Sequence, residues 1–275
     1  MAGLSLLAMG FWWVVWDYSQ TTESLKWLQF MQTVGTFLLP PVLCAWMWDS
    51  AHRPFNRLHL NKRADGVSIL IAVGIMVVAI PSINLMADLN SRVVLPDCLA
   101  SLELWFQQQE ATAEALTERF LQADDIGELL INLGLMALLP ALAEELTFRG
   151  TLQQTLAESG QTAKRSAAAI WITAIVFSAI HMQFYGFVPR MLMGAMFGYV
   201  FVWSGNLWIP VIMHFTNNAL AVLFYYLTDN LLQTANDSKN IADTLGAGDT
   251  WWLGVTSIVI TSLGLLIFYR RTRTR

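Results

Sequence analysis

The 275-residue sequence is 55% hydrophobic and 13% charged, with a mean hydropathy of +0.48. Soluble domains usually carry about 25% charged residues, so an ordinary soluble globule is excluded and a membrane chain is indicated. A net charge of −4 argues against a nucleic-acid partner, and two cysteines, Cys44 in an apolar run and Cys98 in a polar one, make no disulfide framework.

About 20 mostly apolar helical residues cross a bilayer core. In chain order, runs 28–48, 67–87, 127–149, 165–183, 187–203, 207–227 and 251–270 predict spanning helices. The run 4–16 is shorter. It has no basic residue before Lys26 and so lacks the charged start of a signal peptide; it reads as a tilted or partial first span. The expected fold is an all-α polytopic bundle of about eight spans, or seven if 4–16 does not cross. With no repeat, linker or composition break, residues 1–275 form one membrane domain.

Loop charge sets direction. Arg53, Arg57, Lys62 and Arg63 lie between the second and third runs, Lys164 and Arg165 before the fifth, and Arg270, Arg271, Arg273 and Arg275 in the tail. Span counting puts all three groups on one side, expected to be the cytoplasm, with the C-terminus inside. The 88–126 stretch on the opposite side is acidic. Within it, Leu99, Leu102, Trp105, Phe106, Leu116 and Phe120 alternate with glutamates, predicting an amphipathic helix on the membrane surface or a solvated helix over the bundle. Gly194 and Gly198 form a small-xxx-small pair suited to close helix packing.

Ionisable residues inside apolar runs are costly and commonly functional or paired. Three segments hold them. In Ala143-Glu144-Glu145-Leu146-Thr147-Phe148-Arg149-Gly150, Glu145 and Arg149 share a helix face, and Glu144 is rotated about 100° away. Phe177-Ser178-Ala179-Ile180-His181 ends the next run. His214 and Asn218 share a face of the run 207–227. Each segment alone also fits a bland reading: an interfacial helix end, a satisfied histidine, an interhelical hydrogen bond. Jointly they place two carboxylates, two imidazoles and an amide on three spans. Glu144 and His181 reach the same depth, within about 3 Å, if the helix carrying the glutamates continues past Arg149 towards Ala157.

Such groups suit peptide hydrolysis. A carboxylate beside a histidine can activate water, and a histidine and an asparagine can donate to an oxyanion. One Glu and two His also match a common catalytic zinc set, with the other Glu as base; the residues leave both chemistries open. His-Glu-x-x-His and Gly-x-Ser-Gly are absent. Gly246-Ala247-Gly248-Asp249 matches Gly-x-Gly-Asp, but in a polar loop with no Tyr-Asp to supply a second aspartate.

Glu-Glu-x-x-x-Arg (Glu144, Glu145, Arg149), Phe-x-x-x-His (Phe177, His181) and His-x-x-x-Asn (His214, Asn218) resemble the three motifs of the CPBP family. That family comprises type II CAAX prenyl endopeptidases and bacteriocin-processing or immunity proteins, also called Abi. The likeness covers roughly residues 130–225, the expected catalytic core. It implies a membrane-embedded protease of metallo- or glutamate type acting on a membrane-associated protein or peptide. Glu144 with His181 would activate water, His214 and Asn218 would form the oxyanion hole, and Glu145 and Arg149 would support the first group. A zinc ion on Glu144, His181 and His214 is left open. The expected home is a bacterial inner membrane and the expected substrate is not prenylated. Two other classes compete: a non-proteolytic scaffold or bacteriocin immunity protein, and a proton-coupled transporter, since buried Glu and His also make relays. Against the transporter, the polar groups cluster at one depth and the two halves show no matching broken helices.

Overall fold

The computed structural model describes residues 21–48, 53–158, 163–232 and 245–274. The run 4–16, the first expected span, lies outside the described residues. All seven other runs form helices, and no strand occurs among the described residues. We number the helices α1 (Thr22–Trp48), α2 (Gly66–Ser91), α3 (Ala100–Leu121), α4 (Ile126–Ala157), α5 (Ala163–Ala179), α6 (Phe187–Ser204), α7 (Trp208–Leu232) and α8 (Trp251–Arg273). By length and composition α1, α2, α4, α6 and the segment Gly248–Arg273 suffice to cross a membrane. The apolar part of α5, Ser166–Ala179, is shorter, and α7 is diluted by His214, Thr216, Asn217 and Asn218. The protein is a polytopic helical membrane bundle. Large apolar side chains on its outside, among them Leu70, Ile172, Val202 and Leu263, suit lipid where water would penalise them.

One end of the bundle gathers the basic loops. The segment around Pro54–Arg57 folds over it: Trp208 Nε1 donates to the Leu60 carbonyl, Asn206 Nδ2 to that of Lys62, and Gln154 Nε2 to that of Arg57. Asp65 caps α2 and accepts from Arg271 of α8 at 2.9 Å. At the other end Asn90 Nδ2 donates to the Phe184 carbonyl and Asn84 Nδ2 to that of Leu245.

Helix α2 contains Pro81, which cannot donate in the helical ladder. Beside it, Ser257 of α8 replaces a helix bond: its Oγ accepts from Ser82 N at 3.2 Å and donates to the Val78 carbonyl at 2.5 Å. In apolar surroundings backbone groups must be satisfied by protein, so the α2–α8 seam depends on close approach. A Cβ on Gly254 would lie 2.6 Å from Leu85 Cβ. Gly254→Leu is therefore expected to destabilise the protein by about 1–3 kcal/mol through overpacking, seen as a drop of several degrees in detergent melting; an unchanged melt would contradict this packing. The Gly-x-Gly-Asp stretch lies at the same seam. It forms the turn entering α8, and Gly246, with φ 94, sits against the Pro81 backbone.

Helix α4 is one continuous unit from Ile126 to Ala157, with π turns at Leu133–Leu138 and Phe148–Gln153. The long-helix expectation holds, and it carries the glutamates well inside the bundle. Gly194 and Gly198 of α6 meet α5 and α4 closely, as their spacing suggested. A Cβ on Gly194 would approach Ala174 Cα at 3.3 Å, and one on Gly198 would approach Gln153 Oε1 at 2.6 Å.

Candidate active site

The π turn at Phe148–Gln153 starts just beyond the two glutamates, and π turns often mark functional positions. Glu145 and Arg149 form the expected i,i+4 pair: Arg149 Nη1 donates to Glu145 Oε1 at 2.7 Å, and both side chains are 0% exposed. Buried charges need multiple partners, and Arg149 finds three more. Its Nη2 donates to the Gly194 carbonyl at 3.0 Å, and its guanidinium lies 4.8 Å from the Phe177 ring centroid and 5.4 Å from that of Phe197. Close approach of α6 at Gly194 thus does more than pack: it brings a carbonyl acceptor to the cation.

His214 of α7 lies between the glutamates. Its Nδ1 is 2.9 Å from Glu145 Oε1, and its Nε2 is 3.8 Å from Glu144 Oε2. The two carboxylates therefore address opposite edges of one imidazole. A carboxylate acceptor at Nδ1 fixes that nitrogen as the protonated one and turns Nε2 towards Glu144. Phe197 stacks on the ring at 5.3 Å with 26° between planes, and Phe177 meets it edge-on at 6.0 Å. Glu145 has a fully enclosed side chain, whereas that of Glu144 is 16% exposed. Glu144 Oε2 has no hydrogen-bond partner among the described residues. Glu145 Oε2 is likewise buried without one; of the two, Glu144 is the partly exposed carboxylate.

The structure differs from the expected grouping in one respect. Glu145 and Arg149 brace His214 rather than Glu144 itself, because the imidazole Nδ1 reaches the same Oε1 that Arg149 holds. His181 lies two residues beyond α5. Its Nδ1 is 2.7 Å from the Phe177 carbonyl and its ring is 5.1 Å from the Phe177 ring. No direct bond joins it to Glu144 among the described residues; Phe177 is the neighbour it shares with His214. Asn218 lies one turn beyond His214 on α7, half-buried, with Oδ1 accepting from Asn217 Nδ2 at 3.2 Å.

The zinc option can be set against these contacts. His214 Nδ1 and His181 Nδ1 are engaged, which leaves their Nε2 atoms and Glu144 as donors. Among the described residues no three His, Cys, Asp or Glu side chains are grouped to hold a metal ion. The donors as arranged do not make a metal cage.

Sequence reasoning missed Arg190. It stands in the first turn of α6, where a charge near a span end attracts little notice. Its Nη2 donates at 2.7 Å to Gln183 Oε1, two residues beyond His181.

Residues 126–220 match the family described as type II CAAX prenyl endopeptidase, Rce1-like. This segment is similar to that family. It contains all seven motif residues, from Glu144 to Asn218. Two curated relatives are similar over part of their length. The membrane-embedded CAAX protease MroQ of Staphylococcus aureus is 28% identical over 108 residues, covering 38% of this chain and 43% of the relative. The uncharacterized protein YpbD of Bacillus subtilis is 28% identical over 89 residues, covering 31% of this chain and 41% of the relative. The matched regions thus span about two fifths of either relative. No solved structure matches the chain significantly.

Proposed function

We propose that the protein is an intramembrane endopeptidase that hydrolyses a peptide bond in a membrane-associated protein or peptide. One observation carries the reading: a buried Arg149–Glu145–His214 chain ends at an imidazole edge facing a second, partly open carboxylate, Glu144. The Rce1-like match over the same residues supports it.

In this reading Glu144 takes a proton from a water held between it and His181. The water oxygen attacks the scissile carbonyl carbon. The carbonyl oxygen becomes an oxyanion and accepts from His214 Nε2–H and the Asn218 amide. When the tetrahedral intermediate collapses, the C–N bond breaks and Glu144 returns the proton to the departing amine. Glu145 and Arg149 hold His214 in orientation, and the oxyanion step uses the ring carrying a proton on both nitrogens. His181, with Nδ1 on a carbonyl, keeps Nε2 available to the water. No step uses a metal, so cleavage is expected to survive chelation. Loss of activity on chelation, restored by zinc, would overturn that part.

We place the protein in a bacterial cytoplasmic membrane with the basic loops and the C-terminus on the cytoplasmic side, acting on a substrate without a prenyl group. The test is cleavage of single-span peptides by purified protein in liposomes. Asn218→Ala is expected to lower kcat by about 10²–10³-fold, as for loss of one oxyanion donor, with little change in KM. A variant that raises KM alone would make Asn218 a binding residue and refute its place in the oxyanion hole.

A further inference from the structure

We propose that Glu110 of α3 is a positioning residue for the reaction: its carboxylate clamps the loop Ile180–Gly186 and so fixes where His181 stands. This deepens the endopeptidase reading and rests on its assignment of His181 to the attacking water.

His181 has no helix to hold it. Helix α5 ends at Ala179 and α6 begins at Phe187, so the imidazole is carried by the connecting loop. Its Nδ1 reaches the Phe177 carbonyl, which sets the ring relative to α5 and leaves the chain beyond it to be fixed by other contacts. Met182, the next residue, has φ 56. A residue other than glycine in this left-handed region is strained and persists only where its surroundings over-determine it.

Two clamps supply that determination. Asn90 of α2 donates through Nδ2 to the Phe184 carbonyl at 2.8 Å and accepts through Oδ1 from Val188 N at 3.3 Å. Glu110 accepts from Gln183 Nε2 at 3.2 Å on Oε1 and from Tyr185 N at 3.3 Å on Oε2. Both carboxylate oxygens are therefore engaged by residues just beyond His181. A carboxylate only accepts and a guanidinium only donates. Gln183 stands between the two, with Arg190 Nη2 on its Oε1, so its amide has a single satisfying orientation. Of the clamped residues Gln183 is nearest to His181 in the chain, and Glu110 ties it to an element outside the loop.

The helix that carries Glu110 has no other evident reason to lie here. None of the residues of α3 is buried, so no apolar core seats it. Near its end Arg119 Nε donates to Thr22 Oγ1 at the start of α1. One turn before Glu110, Phe106 stacks on Phe184 at 4.6 Å with 12° between planes. The half-buried Glu110 then adds charge-assisted bonds, roughly twice as strong as neutral ones. Helix α3 is in this way a brace laid against the loop that carries a site histidine.

The test uses the full-length protein, in nanodiscs with ¹⁵N-labelled histidine and in liposomes with single-span peptides. Glu110→Ala is expected to move the His181 resonances, assigned through their absence in His181→Ala, while those of His59 at the basic end stay in place. Its kcat is expected to fall about 10- to 100-fold, as displacement of a group at the reacting centre by about 1 Å implies, with KM little changed. On the His181→Ala background the same substitution is expected to lower kcat no further, because it acts through the missing ring. Glu110→Gln keeps one acceptor oxygen; it is expected to fall between, and it replaces Glu110→Ala should that variant not fold. Unmoved His181 resonances, an unchanged kcat, or a loss that recurs in full without His181 would overturn the proposal. So would cleavage undiminished by His181→Ala, which would take the ring out of the reaction. A wild-type protein that cleaves no peptide would sink the endopeptidase reading instead, and the histidine spectrum alone would then decide whether Glu110 holds the loop.

Discussion

Replacing Glu144 with Gln is expected to lower peptide cleavage by about 10²–10⁴-fold, the usual contribution of a general base, while the melting temperature changes little. The two halves of this expectation have separate causes. Glu144 is the partly exposed carboxylate with an oxygen free of partners, so an isosteric amide removes basicity without breaking a hydrogen bond. Glu145 is enclosed and holds two donors at once, so the same change there should cost stability as well. Activity that survives Glu144→Gln while Glu145→Gln abolishes it at unchanged stability would reverse the assignment of the two carboxylates.

The second large effect is expected at Arg149. Arg149→Met leaves Glu145 as a buried charge with only His214 against it. Breaking a buried pair from one side costs about 3–5 kcal/mol, or on the order of 10 °C in melting for a chain of this size. Removing both partners together, Glu145→Met with Arg149→Met, is expected to recover most of that loss, because no unpaired charge remains. Cleavage should not recover, since His214 Nδ1 has lost its acceptor and the ring its orientation. Detergent melting and liposome cleavage on the three variants check both outcomes. A double variant as unstable as Arg149→Met alone would contradict the pairing. Restored cleavage would show that Glu145 has no part in holding His214.

The spans were legible because membrane helices need long apolar runs, and each of the seven later runs became a helix. Runs 165–183 and 207–227 were legible as helices but give weaker spans. The first stops at Ala179, two residues short of His181, and polar site residues interrupt the second. The i,i+4 pair of Glu145 and Arg149 was readable from helix geometry. That both glutamates address His214 was not, because it depends on how α7 rotates against α4, and sequence spacing says nothing of rotation between helices. The same holds for Arg190, whose partners Gln183 and Glu110 lie in a loop and on a surface helix far apart in the chain. Ser257 escaped notice for a related reason: a serine in an apolar run looks like a tolerated polar residue until the interrupted backbone it serves, at Val78 and Ser82, is seen beside it.

The central claim is hydrolysis of a peptide bond by a water that Glu144 activates. Its most direct test is a reaction of purified protein with membrane-embedded peptides in ¹⁸O-labelled water, with products read by mass spectrometry. The account predicts paired new termini, with one labelled oxygen in each new carboxylate after a single turnover, and their loss with Glu144→Gln. Equal product from wild type and Glu144→Gln, or no new termini from any peptide that the wild-type protein binds, would contradict it.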